Sequence, residues 1–144
     1  MKTWCLICLW ILASASAMGC AKRSLSAEPL PLDRVECARC RMLISSDRDG
    51  GEIVSATEDT RFYDDVGCLA ADWEARRGDA RAYVRVAGGW RDAEAASFAQ
   101  PAEARTTMGS GIVAFAAAGD ARSADRAGRA LTFDQVAHLS GVRK

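Results

Sequence analysis

Sulfur-bearing side chains carry most of the chemistry that this chain can offer. Cys37 and Cys40 are three positions apart, Met42 follows Cys40 by two, and Cys68 and Met108 come later. Thiolate and thioether sulfurs favour Cu(I), whereas zinc prefers thiolate and imidazole in a closed tetrahedral set. On an extended segment, Cys40 and Met42 would point to the same face. We therefore predict a Cu(I) site of Cys40, Met42 and Met108, with Cys37 and Cys68 as weaker candidate ligands.

The same residues admit other interpretations. Cys37 and Cys40 have the Cys-x-x-Cys spacing of a disulfide or of a thiol–disulfide redox pair that reduces partner cysteines. Redox pairs of this kind usually open a helix, whereas the residues after Cys40 read as extended. Met42 precedes two aliphatic residues and is by composition more often a core residue than a ligand. Cys68 could be a small buried hydrophobe.

Catalysis is not indicated, and we expect a binding protein that is not an enzyme. The chain has a single histidine, His138, which every Ser-His-Asp proposal would have to use. Asp64 and Asp65 form a carboxylate pair, but capping of a helix explains that pair. The formal net charge is zero and no basic stripe is present, which makes nucleic acid an unsuitable partner.

The first 19 residues have the pattern of a secretory signal peptide. A positive charge precedes an apolar run at 4–13, and small residues follow at 14–20. The run is too short to span a bilayer, which takes about 20 residues. Cleavage would remove Cys5 and Cys8 with the signal.

Residues 17–20, Ala-Met-Gly-Cys, resemble the lipobox of bacterial lipoproteins. We expect Cys20 to be the lipid attachment site, which anchors the protein to the membrane without spanning it. Residues 20–34 are polar, contain two prolines and are predicted to be a tether. The domain would face the periplasm, and Ala21, where some bacteria use aspartate for inner-membrane retention, favours the outer membrane. Three cysteines then remain, and an odd number cannot all pair within one molecule.

The pattern of residues 35–144 predicts an α+β domain. The expected elements are strands at 52–56 and 61–63, a helix at 64–78, a hairpin at 81–94, a loop at 97–106, a strand at 112–116, a helix at 120–127, a strand at 131–133 and a final helix capped by Asp134.

An internal repeat is suggested by two helix starts, since residues 62–69 and 132–139 share an aromatic, an aspartate, a valine and a leucine in register. We predict two small related strand-strand-helix halves, at about 37–78 and 106–140, packed as one compact unit. Pseudo-twofold packing would bring Met42 and Met108 to equivalent places. Chance similarity over eight positions is the alternative.

The motifs and their order resemble the NosL family, the accessory lipoproteins of nitrous oxide reductase. The likeness begins with the lipobox at 17–20 and then covers about residues 35–139, where it includes a Cys-x-Met element. It also includes "FYDDVGCL" at 62–69, "MGSGIVAF" at 108–115 and "LTFDQV" at 131–136. The resemblance implies a periplasm-facing lipoprotein of denitrification. Such a protein binds Cu(I) and delivers it to assemble the copper centres of nitrous oxide reductase or of another periplasmic copper protein.

The resemblance also assigns residues in this chain. Cys40 and Met42 match the ends of the family's Cys-Gly-Met element, and Met108 matches the methionine before the glycine-rich strand. The family's Asp-Asp-x-Gly-Cys element corresponds to Asp64, Asp65, Gly67 and Cys68. Arg41 stands where glycine is usual, and arginine does not easily take the backbone conformations open to glycine.

Overall fold

The strands of the computed structural model, which describes residues 23–141, form two antiparallel sheets. In chain order the elements are β1 (Gly51–Ser55), β2 (Arg61–Tyr63), α1 (Val66–Trp73), β3 (Ala80–Val86), β4 (Gly89–Asp92), a 3₁₀ turn (Ala93–Ala95), β5 (Ser97–Ala99), β6 (Val113–Phe115), α2 (Ala118–Ala124) and α3 (Phe133–Gly141). The first sheet has the order β2-β1-β3-β4, and β5 pairs with β6 in the second. The predicted α+β class is confirmed. The predicted signal peptide and the lipid site at Cys20 lie outside the described residues.

One face of the first sheet packs on α1. Residues of β1 alternate between the two faces, so that Ile53 enters the core while Glu52 points away from it. Gly51 lies so close to α1 that an added Cβ would come within 2.7 Å of Leu69 Cδ2. Glycine at this position therefore allows the helix and the sheet to approach.

Helices α1 and α3 pack against each other. They overlap the two segments of the predicted repeat, 62–69 and 132–139. The Phe133 ring lies 5.8 Å from the Trp73 ring and 5.7 Å from the Phe98 ring, which joins both helices to the second sheet. Val66 and Val136 are aligned in the predicted repeat but occupy different positions in their helices. Val66 is the first residue of α1, whereas Val136 is the fourth residue of α3, which begins at Phe133. The internal duplication stays a prediction.

Three local predictions in the second half are wrong. The segment 97–106 begins with strand β5, whereas Leu131 makes only an isolated bridge to Phe98 and no strand. Asp134 does not cap α3. Thr132 Oγ1 accepts from Gln135 N at 3.3 Å, and Gln135 Oε1 accepts from Thr132 N at 2.8 Å, which is a capping box.

The described part of the predicted tether, residues 23–34, makes ordered contacts with the first sheet. Tyr83 Oη donates to the Leu25 carbonyl at 2.6 Å, and the Glu28 amide donates to Glu52 Oε1 at 2.8 Å. Glu52 is thereby fully buried, and its Oε2 atom has no hydrogen-bond partner. This segment covers the face of the sheet opposite α1.

Glu52 makes the stability of the fold depend on pH. Burial raises the pKa of Glu52 from 4.5 to about 7. Since the unfolded chain releases this proton near pH 4.5 and the folded chain only near pH 7, the free energy of unfolding falls between these values and stays lower above them. We expect Glu52→Gln to flatten this fall and to raise stability at pH 8 by about 1–3 kcal/mol. Urea denaturation at pH 5 and pH 8 measures it.

The matched control is Glu103→Gln, on an exposed side chain, which should leave the pH dependence as it is. A Glu52→Gln variant with the full wild-type loss of stability between pH 5 and pH 8 would contradict this assignment.

Candidate metal centre

Four side chains converge at the point where β2 runs into α1. The ligand atoms of Cys37, Cys40, Asp64 and Cys68 all lie within 4.8 Å of one another, and we call this group the Cys3Asp cluster. Zinc–sulfur bonds of about 2.3 Å in tetrahedral geometry hold sulfur ligands roughly 3.8 Å apart. Little rearrangement is therefore needed for the four atoms to enclose one metal ion.

A tight turn presents the first two cysteines. Cys37 N donates to the Met42 carbonyl at 2.8 Å, and Arg41 N donates to the Cys37 carbonyl at 3.0 Å. Ala38 N donates to the Phe62 carbonyl at 2.8 Å, which fastens the turn to β2. The prediction of an extended Cys40–Met42 segment is wrong, because the chain turns through Arg41.

Arg41 takes the conformation for which glycine is suited. Its φ is +67°, in the left-handed region that costs a residue with a side chain about 1–2 kcal/mol. Its ion pair with Glu36, at 3.0 Å between side chains 75% and 51% exposed, contributes little in compensation. The surrounding hydrogen bonds of the turn hold Arg41 in this conformation.

We expect Arg41→Gly to raise the free energy of unfolding by about 0.5–1 kcal/mol, because relief of the left-handed strain outweighs the greater freedom of glycine in the unfolded chain. Chemical denaturation measures the change. Arg39→Gly, two positions earlier and not at a positive φ, is the control and should be neutral or destabilising. Destabilisation by Arg41→Gly would show that the turn does not carry this strain.

Asp64 and Asp65, the two aspartates at the start of α1, have different roles. Asp65 is the N-cap, and its Oδ1 accepts from Gly67 N at 2.6 Å. This places Cys68 in the first turn of the helix. Asp64 stands one position before the cap, 2% exposed, where its Oδ2 accepts a hydrogen bond from Cys40 Sγ at 3.4 Å and its Oδ1 has no partner.

Helix capping therefore explains only Asp65, and Asp64 is a candidate ligand that the sequence interpretation missed. The position before an N-cap commonly holds a hydrophobic residue that packs on the helix. An aspartate there was the signal that could have identified it. An unpartnered carboxylate oxygen in a buried site costs free energy unless a cation or a donor satisfies it.

The pKa values of the three cluster thiols are shifted in different directions, so that Cys37 loses its proton before Cys40 and Cys68 do. Hydrogen bonding from the Cys68 thiol, helped by the backbone N–H groups of Cys40, Asp64 and Arg39, lowers the pKa of Cys37 to about 4 against the opposing effect of burial. Burial, together with the Cys37 thiolate, raises the pKa of Cys40 to about 11. Donation to Cys37, and then burial, raises the pKa of Cys68. A metal cation would displace the protons of Cys40 and Cys68 on binding.

The described cysteines are free thiols, so the disulfide alternative is not what the structure contains. Cys68 is only 8% exposed, as expected of a small buried residue, but it lies among the other ligand atoms rather than in apolar packing alone. The cluster thus brings together Cys40 and the two weaker candidates, Cys37 and Cys68.

The predicted thioether ligands lie at the surface. Met42 is 52% exposed, so the interpretation of Met42 as a core residue is wrong. Met108 is 41% exposed and lines a pocket of about 200 Å³ together with Cys68. Both methionines are thus exposed, one two positions after Cys40 in the sequence and one in the pocket that Cys68 also lines.

Comparisons with known families and with curated proteins find no match for this chain. Among the helices of residues 23–141, none is both long enough and apolar enough to cross a membrane. The chemistry of the centre is accordingly read from the ligand atoms themselves.

Asp64 should lower the stability of the metal-free protein. Burial, with the adjacent Cys37 thiolate, raises its pKa from 3.8 to about 6. The free energy of unfolding therefore falls between these pH values and stays lower above pH 6. We expect Asp64→Asn to stabilise the metal-free protein at pH 7.5 by about 1–3 kcal/mol and to weaken metal binding.

Denaturation with a metal chelator present measures the stability change, and Asp59→Asn, on an exposed side chain, is the control that should be neutral. If Asp64→Asn instead lowered the free energy of unfolding, the buried carboxylate would be stabilising the fold, and this prediction would be wrong.

Proposed function

We propose that this protein binds one Cu(I) ion through Cys37, Cys40 and Cys68 and passes it to a periplasmic copper protein. The observation that carries the proposal is the convergence of three cysteine sulfurs and the buried Asp64 carboxylate within 4.8 Å. Nitrous oxide reductase is the client that the sequence resemblance implies. The lipid anchor at Cys20 would hold the protein on the periplasmic side of the membrane.

The choice of Cu(I) is supported by the surrounding sulfur atoms. Three thiolates form a soft ligand set. Two exposed methionines are close to it in the sequence or in the structure, because Met42 lies two positions after Cys40 and Met108 lines the same pocket as Cys68. Thioether sulfur is a ligand for Cu(I) and is not a usual ligand for zinc.

The site also suits transfer rather than storage. Cys40 is partly exposed, while Cys37 is fully buried, so a ligand from an acceptor protein can approach the ion from the Cys40 side. A set of three sulfurs leaves room for an incoming fourth ligand. Exchange of one sulfur for another then moves the ion without releasing it into water.

Zinc binding is the second candidate, and Asp64 is the observation that favours it. A carboxylate with three thiolates completes a closed tetrahedral set, as in structural zinc sites. A zinc site of this kind would stabilise the fold and would have no use for the exposed methionines.

The redox alternative is less well supported. Cys37 is the thiol with the lowered pKa and would be the nucleophile, yet it is fully buried and inaccessible to a partner disulfide. An insulin-reduction assay that requires both Cys37 and Cys40 would restore this alternative.

The proposal is tested by anaerobic titration of the full-length chain in detergent, in a Cys5→Ser/Cys8→Ser background, with Cu(I) against a competing chelator. We expect one ion per chain. Serine substitution of any one of Cys37, Cys40 and Cys68 should weaken binding at least about tenfold, which corresponds to about 1.4 kcal/mol. Cys20→Ser, outside the described residues, is the matched control and should have no effect.

A parallel titration with Zn²⁺ separates the two metals. Zinc that binds at this site and is not displaced by Cu(I), with Asp64→Asn as the most damaging variant, would replace the copper proposal by a structural zinc site. Delivery itself is measured by mixing the Cu(I)-loaded protein with metal-free nitrous oxide reductase and following copper in the acceptor. A failure of transfer to this acceptor alone would remove the client and leave Cu(I) binding intact.

A further inference from the structure

The loop at 106–111, which we call the Met108 loop, rests directly on the start of α1. Met108 N donates to Asp65 Oδ2 at 3.0 Å. Gly67, in the first turn of α1, faces Ser110 so closely that an added Cβ would come within 2.7 Å of the Ser110 Cβ. A side chain at position 67 would therefore displace the loop.

The Met108 loop is held in shape by its own polar groups. Gly111 N donates to Thr106 Oγ1 at 3.0 Å, and Ile112 N donates to Ser110 Oγ at 3.2 Å. Gly109, next to the methionine, has a φ of +69° and supplies the left-handed bend. Because the loop is ordered internally, its attachment to α1 sets where the Met108 side chain emerges.

Asp65 makes that attachment with the carboxylate oxygen that the helix cap does not use. Oδ1 accepts from Gly67 N, while Oδ2 accepts from Met108 N, and the side chain is fully buried. A helix cap needs only one acceptor, for which serine, threonine or asparagine suffice. The second oxygen ties the Met108 loop to the helix that carries Cys68.

Cys68 lies between the Cys3Asp cluster and the pocket that Met108 lines. Its sulfur belongs to the cluster, and the residue also lines the pocket together with Met108, Arg39 and Leu139. The pocket is open to solvent and therefore offers a second way out of the cluster, separate from the partly exposed Cys40.

We propose that Asp65 is a positioning residue that holds the Met108 thioether at the mouth of this pocket, where a metal ion leaving Cys68 meets its next sulfur ligand. This inference rests on the proposed function. Asp65 touches no metal in this scheme and acts only through the position of Met108. Gly67 acts in the same way, by leaving space for the loop.

The test uses two variants at the start of α1. Asp65→Asn keeps an oxygen for the Gly67 amide but turns an NH₂ group toward Met108 N, where two donors oppose each other. Gly67→Ala keeps the Asp65 carboxylate and pushes the loop through Ser110, while its Cβ also comes within 3.0 Å of Asp65 Oδ1. Asp92→Asn is the matched control, since Asp92 Oδ1 also caps a short helix, by accepting from Glu94 N at 2.9 Å, while its Oδ2 accepts from Arg81 and not from the Met108 loop.

The first measurement needs no metal. In ¹³C-methyl-methionine spectra of the full-length chain, in which Met108→Leu identifies the Met108 signal, that signal should shift in Asp65→Asn and Gly67→Ala. It should stay in place in Asp92→Asn. An unchanged Met108 signal in both variants overturns the positioning role whatever the protein binds.

The second measurement is the rate at which Cu(I) leaves the loaded protein for a chelator such as bicinchoninate. We expect Asp65→Asn and Gly67→Ala to slow this rate several-fold, to the level of Met108→Leu. In the Met108→Leu background, Asp65→Asn should add nothing, because residues that act through one side chain are not additive. If the double variant releases Cu(I) still more slowly than Met108→Leu, Asp65 acts on the structure by another route and the proposal is overturned.

The two proposals fail differently. Absence of Cu(I) binding in the wild-type chain ends the proposed function and the exit role with it. Cu(I) binding that depends on the three cysteines, with a release rate indifferent to Met108→Leu, keeps the function and rejects the exit through Met108.

Discussion

The first turn of α1 is the constraint on which the site depends. Asp65 fixes the start of the helix, which places Cys68 beside the turn that carries Cys37 and Cys40. The same carboxylate holds the Met108 loop, and its neighbour Asp64 supplies the only oxygen ligand atom of the Cys3Asp cluster among the described residues. Two adjacent buried carboxylates thus connect three separate parts of the chain. Asp65 is satisfied by two amide donors, whereas the unpartnered Asp64 oxygen is costly to bury unless a donor or a cation satisfies it.

The metal-free cluster is electrostatically poised for a cation. One thiolate, at Cys37, is stabilised by donors around it, and the remaining groups keep their protons at neutral pH or, in Asp64, hold a charge at raised cost. A bound cation would reverse each of these penalties at once, because it favours the charged form of every ligand. Strain in the same region, at Arg41, is held by the backbone hydrogen bonds of the turn. Local strain and unsatisfied charge therefore gather at the candidate site, as they do in functional sites generally.

Much of the fold was readable from the sequence because its signals are local. The glycine pair at Gly88 and Gly89 marked the β3–β4 hairpin, and alternation marked β1 and β2. The predictions failed where contacts between distant parts of the chain determine the local structure. Strand β5 forms only because β6 pairs with it, and Leu131 is held by one bridge to Phe98 that no local pattern encodes.

The candidate site was partly predictable for the same reason. Residue type identified the candidate sulfur ligands, since few side chains offer soft donors. The sequence ranked Cys40 above Cys37 and Cys68, whereas the turn at Arg41 brings the three sulfurs together. The separation of Asp64 from Asp65 required the exact start of α1. The first residue of a helix can be predicted from sequence only to within one or two positions. In this chain a shift of one position decides which aspartate caps α1 and which faces the candidate metal centre.

X-ray absorption spectroscopy at the copper edge of the Cu(I)-loaded full-length chain tests the central claim most directly. The account predicts a first coordination shell made of sulfur, with one sulfur lost from that shell in Cys68→Ser. A shell dominated by nitrogen or oxygen, or a spectrum that does not change when Cys68 is replaced, would contradict it.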